Sequence, residues 1–163
     1  MSHLSEYPAR LRASTVHPET IYIRAAGCHA VKGASPACRS GAAKGKVITI
    51  EDEGNIYQIF EGEPKTPTEE VTAVYRGDGN LLCVPTGRIF IRLEEGLRAE
   101  DFADAFRKLG FVIAQSLPYA PHAAWLERED GDAAAALRSV SALEQLPQVR
   151  NVEPQLLTAR TWR

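Results

Sequence analysis

The second half of the sequence predicts an α+β fold, and three observations predict it. Residues 88–93 alternate apolar and polar side chains, which is typical of a strand with one buried face. Two later segments, 98–109 and 133–146, carry apolar residues at helical spacing. Short strand-like segments follow each helix. The predicted elements are a strand at 88–93, a helix at 98–109, strands at 111–117 and 123–128, a helix at 133–146 and a strand at 149–153.

The first strand and the first helix carry clear local signals. Ile89 and Ile91 lie on one side of the strand. In the helix, Phe102 and Phe106 are about one turn apart, and acidic residues occupy the first turn, where the helix dipole favours them. Gly110 is a typical C-terminal stop. Both elements therefore have the periodicity that their predicted class requires.

The second helix is predicted to begin after Asp132, a good N-cap, and to end before Pro147. The predicted core consists of Phe102, Phe106, Leu137 and Val140. The resulting order, β-α-β-β-α-β, is the split βαβ or ferredoxin-like arrangement, in which both helices cover one face of a four-stranded antiparallel sheet. We therefore expect an α+β, ferredoxin-like C-terminal domain.

Residues 20–85 predict a β-rich N-terminal subdomain. Hairpin signals occur at 46–60 and 71–84, where strand-like segments flank glycine-containing turns. Residues 1–18 are predicted to be a loosely ordered arm, and the Gly-, Ala- and Ser-rich residues 25–46 a long surface loop. With a boundary at Pro85-Thr86-Gly87, the predicted divisions are 1–85 (arm and β-rich subdomain), 86–155 (ferredoxin-like domain) and 156–163 (extended tail).

The composition excludes several classes of partner. The chain has 163 residues, is 44% hydrophobic and 25% charged, and carries a net charge of -2, as a globular protein does. No long basic block indicates nucleic-acid binding. No apolar run approaches the roughly 20 residues that span a bilayer. Because the N-terminus has no apolar signal-peptide region, a cytoplasmic protein is expected, or a secreted one if the chain is an excised pro-region.

Signals for catalysis or metal binding are weak. Cys28, Cys38 and Cys83 lack metal-ligand spacing, so inert thiols are favoured over a Cys28–Cys38 disulfide or a zinc site. His29 and His122 are predicted in a loop and a turn. No GxSxG, HExxH or phosphate-loop motif occurs. The sequence therefore predicts no enzymatic activity, no cofactor and no metal; a nucleophilic Cys28 or Cys38 is the weakest alternative.

Three segments of the second half carry a resemblance to a known family. They are TGRIFIRLEEG at 86–96, the LPYAP turn at 117–121 and LEQLPQVRNVEPQ at 143–155. In this order they resemble the propeptide domain of subtilisin-like serine proteases, which also occurs as a free-standing inhibitor. Residues 74–87 are similar to the segment that precedes this domain in some bacterial pro-regions.

The resemblance implies a non-enzymatic inhibitor or intramolecular chaperone of a subtilisin-like serine protease. Such a domain docks by its sheet face, caps protease helices with acidic residues, and lays its tail product-like in the active-site cleft. The positions that match are Glu153 and Gln155 for capping, then Leu156, Leu157, Thr158, Ala159, Arg160, Thr161, Trp162 and Arg163 for the tail. Gln155 stands where an acid is expected, so its cap would be weaker. Either Thr161 or Arg163 would lie nearest the catalytic serine.

Two questions stay open at this point. Trp125 is either a core residue or a hot spot on the docking face. The chain could also be a ferredoxin-like interaction or ligand-binding regulatory module without a protease partner, because fold does not determine function. The tail discriminates between the two functions: an inhibitor is expected to keep residues 156–163 poorly ordered until they bind.

Overall fold

The computed structural model describes residues 3–33, 46–52, 54–64 and 71–158. The strands are β1 (Arg10–Arg12), β2 (Ile21–Arg24), β3 (Cys28–Lys32), β4 (Lys46–Asp52), β5 (Asn55–Glu61), β6 (Val71–Thr72), β7 (Tyr75–Arg76), β8 (Leu82–Leu93), β9 (Phe111–Ser116), β10 (Ala123–Arg128) and β11 (Val149–Thr158). The helices are α1 (Ala103–Lys108), α2 (Ala133–Arg138) and α3 (Val140–Glu144), with 3-10 turns at His3–Glu6, Asp78–Asn80 and Ala99–Phe102.

The predicted ferredoxin-like α+β fold class is wrong. Of the described residues, 46% are strand and 20% helix, arranged as one curled antiparallel sheet and a second four-stranded sheet. The first sheet has the strand order β1-β2-β7-β8-β10-β9, and β11 pairs with β8 beside that path. The prediction began this sheet at Arg88, but β8 begins at Leu82 and there pairs with β7. The sheet therefore continues into strands that were assigned to another subdomain.

Gly87 explains why β8 runs through the predicted boundary. Its φ of +90° is a backbone conformation that residues with a side chain rarely adopt. A Cβ added at this position would lie 3.0 Å from the Cβ of Ala133 in α2. A strand can thus pass close to the helix here, where the Pro-Thr-Gly sequence had indicated a break. The preceding Pro85 is buried within the strand.

The chain forms two compact units, and the first comprises residues 1–9, 22–85 and 156–163. Its sheet has the order β4-β5-β3-β6. Its core consists of Ala25, Ala30, Ile50, Tyr57, Ile59, Val74 and Val84. The prediction of a surface loop at 25–46 is wrong where β3 lies, because Ala30 is fully buried; residues 34–45 lie outside the described part.

The N-terminal arm of the first unit is held by side chains of β2 and β7. The guanidinium of Arg24 donates to the carbonyl oxygens of Leu4 and Tyr7, at 2.9 and 2.6 Å. The hydroxyl of Tyr75, which is fully buried, donates to the carbonyl of Pro8 at 2.7 Å. Burial raises the pKa of Tyr75 far above its ordinary value, so the hydroxyl keeps its proton. The prediction of a loosely ordered arm is therefore wrong for these residues.

The second unit comprises residues 10–21 and 86–155. Its predicted strands occur. The first predicted helix is a 3-10 turn followed by the shorter α1, and the second is divided at Ser139 into α2 and α3. Helices α1 and α2 pack against β9 and β10. Of the predicted core residues, Phe106 and Leu137 are buried, whereas Phe102 and Val140 are half-buried.

Candidate protein-binding surface

The sheet of the second unit has one face covered by helices and one that faces away from them. On β8, Gly87 points toward Ala133 of α2, while Ile89 and Ile91 are 0% exposed. Because side chains alternate along a strand, Thr86, Arg88 and Phe90 lie on the opposite face. We call this the outer face; its members are Thr86, Arg88, Phe90, Trp125, Glu127, Glu153 and Gln155.

An aromatic pair lies at the middle of the outer face. Phe90 on β8 is directly opposite Trp125 on β10 in the antiparallel register. Their ring centroids are 5.3 Å apart with an interplanar angle of 63°, the edge-to-face geometry that aromatic rings prefer. Both residues are half-buried, so part of each ring surface stays accessible. Trp125, which the sequence left between core and docking face, thus lies on the face opposite the helices.

A charged pair adjoins the two aromatic rings. Arg88 Nε donates to Glu127 Oε1 at 3.0 Å, across β8 and β10. The guanidinium carbon of Arg88 lies 5.9 Å from the ring centroid of Trp125, within cation–π range. The Arg88 side chain is 25% exposed and that of Glu127 is 49% exposed. An ion pair this exposed contributes little to stability, but it fixes the orientation of Arg88 beside Trp125.

Glu153 and Gln155 belong to the same face. The Thr86 hydroxyl donates to Gln155 Oε1 at 2.7 Å and accepts from the backbone N–H of Arg88 at 3.1 Å. Glu153, two residues earlier on β11, accepts at Oε1 from the Asn151 side-chain amide at 3.1 Å. Both Glu153 and Gln155 are half-buried. The two positions predicted to cap protease helices therefore share a face with the aromatic pair.

The C-terminal segment differs from the free tail that the sequence predicts. Leu156, Leu157 and Thr158 continue β11, and Leu157 packs against the core of the first unit. The expectation of a free extended segment is therefore wrong for these three residues. The remaining predicted tail residues, Ala159, Arg160, Thr161, Trp162 and Arg163, lie outside the described residues.

The cysteines do not have the environment of a nucleophile in the described part of the chain. Burial raises the pKa of the Cys83 thiol to about 11 and also raises that of Cys28, which disfavours the reactive thiolate. Cys38 lies outside the described residues. His29 is buried rather than in a surface loop, with Nδ1 2.8 Å from the carbonyl oxygen of Gly62. No three His, Cys, Asp or Glu side chains among the described residues form a group that could hold a metal ion.

Comparisons with protein-family models, with curated proteins and with solved structures give no match. The resemblance to subtilisin propeptides therefore rests on the sequence motifs. Within the described ranges, no helix is long and apolar enough to cross a membrane.

The sequence reasoning missed Arg88, Phe90 and Glu127 as members of a surface. The signal was present, because the alternation that buries Ile89 and Ile91 places Phe90 on the other side of β8. What the sequence did not contain was the register. The pairing of Phe90 with Trp125 depends on how β8 and β10 align.

Proposed function

We propose that this chain is a non-enzymatic protein that binds a subtilisin-like serine protease through the outer face, as its inhibitor, its folding chaperone or both. The partner class comes from the resemblance of residues 86–163 to subtilisin propeptides. The compartment stays a prediction: the cytoplasm for a free-standing inhibitor, or the exterior for an excised pro-region.

The Phe90–Trp125 pair, which is half-buried on the outer face, is the observation that carries the proposal. Burying the remaining apolar surface of these rings under a partner gains about 25 cal/mol per Å². Tryptophan and arginine are the residue types most enriched among binding hot spots, and Arg88 lies beside Trp125. The pair therefore supports a protein partner in preference to a small polar ligand.

Glu153 supports a partner that presents helix N-termini. The first N–H groups of a helix have no partner within the helix, and the helix dipole favours a carboxylate there. The hydrogen bond from Asn151 to Oε1 orients the Glu153 carboxylate on the outer face. Gln155, held by Thr86, is neutral and would contribute a weaker bond.

The proposal is tested by the inhibition constant of the full chain against subtilisin-like proteases, measured with a chromogenic peptide substrate. We expect inhibition by the unmodified chain. Trp125→Ala should weaken it about 30-fold, since a hot-spot residue contributes roughly 2 kcal/mol. Glu153→Ala should weaken it less, because a lost capping bond costs about 0.5–2 kcal/mol.

Tyr119→Ala is the matched control, because Tyr119 is an aromatic residue of the second unit that is 84% exposed and lies in the turn before β10. It should leave the inhibition constant unchanged. Circular dichroism should show that all variants are folded. If the unmodified chain neither inhibits nor binds these proteases by calorimetry, the proposal is wrong.

A protein-interaction module without a protease partner is the second candidate, and β11 favours it. Because β11 continues through Thr158, residues 156–158 are part of a strand and are not a free segment that could enter a protease cleft. Deleting residues 159–163 distinguishes the protease inhibitor from the interaction module. Loss of inhibition with binding retained supports product-like insertion, whereas binding and no inhibition in either form supports the interaction module.

A further inference from the structure

Strand β9 lies at an edge of the sheet, and this edge lacks the residues that usually protect an edge strand. It pairs with β10, and no other strand in the described part of the chain pairs with it. Residues 111–116, FVIAQS, include no charged residue and no proline. Ala114, Gln115 and Ser116 are exposed. Proteins usually protect such an edge with charges or prolines, because its free N–H and C=O groups can pair with another chain.

In the part of the sheet that belongs to the second unit, β11 pairs with β8 and forms the opposite edge, which is covered. At β11 the backbone N–H of Thr15 donates to the carbonyl of Val152 at 3.2 Å, and the N–H of Val152 donates to Thr15 Oγ1 at 3.0 Å. The N–H of Val16 donates to the Asn151 side chain at 3.4 Å. The second unit thus closes one edge with its own N-terminal segment, and the described residues provide no such cover for β9.

The charges beside β9 match a two-fold arrangement. Glu100 lies next to the end of β9, where it accepts from the Ser116 hydroxyl at 3.2 Å and forms an exposed ion pair with Arg98 at 3.3 Å, a contact that solvent weakens. Lys108, at the other end of α1, is exposed and lies three residues before β9 begins. In an antiparallel pair of identical strands, the end of one strand lies beside the beginning of the other. Glu100 of one copy would then approach Lys108 of the second copy, twice in each pair.

From the unprotected edge of β9 and this charge pattern we propose that two copies of the chain associate through β9. The two strands pair antiparallel about a two-fold axis, so that the same surface is used on both sides. The two sheets then form one continuous sheet, and α1 of one copy lies beside α1 of the other. The interface does not include the outer face, so the proposal is independent of protease binding.

Sedimentation equilibrium on the full chain over a wide concentration range tests the association. We expect a concentration-dependent dimer. Ala114→Lys should raise the dissociation constant at least tenfold, because the two-fold axis brings like charges opposite each other. Ala114→Ser, which adds no charge, should keep the dimer. Thr49→Lys, at an exposed position of β4 in the first unit, should also keep it.

A charge reversal tests the orientation. Lys108→Glu should weaken the dimer, and adding Glu100→Lys should restore it, because the double variant exchanges the two ends. The proposal is overturned by an unmodified chain that stays monomeric at every concentration, or by an Ala114→Lys variant that associates as well as Ala114→Ser. A double variant no better than Lys108→Glu alone would refute the antiparallel orientation of the two α1 helices.

Discussion

The two faces of the sheet in the second unit are built from the same strands, yet they differ in what they bury. On the helix-covered face, Ile89, Ile91 and Leu126 are all 0% exposed. On the outer face, the residues that alternate with them include Phe90 and Trp125, which are only half-buried. Large apolar side chains therefore occur on both faces, but only those on the helix-covered face are fully buried.

This difference separates stability from recognition. A fully buried apolar side chain contributes its whole transfer free energy to folding, and removing it also leaves a cavity. A half-buried ring contributes less to folding and retains surface that a partner can still cover. The covered face is thus expected to determine whether the unit folds, and the outer face to determine what it binds.

The largest expected effect is at Phe106 on the covered side. Phe106→Ala should lower the free energy of unfolding by about 3–5 kcal/mol, because this ring is 0% exposed. Trp125→Ala on the outer face should cost less, about 2 kcal/mol, because this ring is only half-buried and its loss leaves no enclosed cavity. Urea unfolding of both variants measures the two values. Equal losses would mean that the outer face is as much a part of the core as the covered face.

A smaller effect is expected where β8 approaches α2. Gly87→Ala should destabilise the protein by about 1–3 kcal/mol, since it adds a strained backbone and a contact at 3.0 Å with Ala133. Gly131→Ala is the control, because Gly131 also has a positive φ but no atom within 4 Å of an added Cβ. It should cost about 1 kcal/mol. If thermal unfolding shows the same loss for both, the close approach to the helix does not contribute.

The smallest effect concerns Asp130, which precedes α2. Two hydrogen bonds from Arg128, at 2.7 and 3.1 Å, lower the pKa of Asp130 from 3.8 to about 2, with help from the backbone N–H of Asp132. Because the folded pKa is depressed, this stabilisation is present above pH 3.8 and is lost as the pH falls through about 2.

Carbon-detected NMR titration of the Asp130 carboxyl group should therefore give a midpoint near pH 2. Arg128→Lys should move the midpoint upward, because lysine keeps the charge but cannot form the paired hydrogen bonds. An unmodified protein that titrates near 3.8 would show that the Arg128 contact is absent in solution.

Local patterns predicted most of the strands and helices of the second unit, but little of how the strands of its sheet are paired. The alternation at 88–93 and the spacing of Phe102 and Phe106 predicted a strand and a helical segment that the structure contains. The predicted ends were less accurate, because Pro85 and Gly87 indicated a break where β8 continues. The fold class failed for the same reason, since the continued strand pairs with β7 and enlarges the sheet.

The candidate surface was predictable only in part. The motifs led to Glu153 and Gln155, and Trp125 was considered for the docking face. Phe90 was not, because its partner is 35 positions away in the chain. The tail was predicted as free, whereas Leu157 packs against apolar side chains of the first unit. Contacts between residues that are far apart in the chain leave no periodic pattern in the sequence.

By itself the sequence determined which segments of residues 88–154 are strands or helices and which side of each is apolar, because these properties depend on neighbours within one or two turns. Only the tertiary structure decided that β8 joins a larger sheet, that Phe90 meets Trp125, and that Leu157 belongs to a core. Each of these depends on register and on contacts between distant segments. Many arrangements satisfy the same local preferences, and packing of the whole chain selects among them.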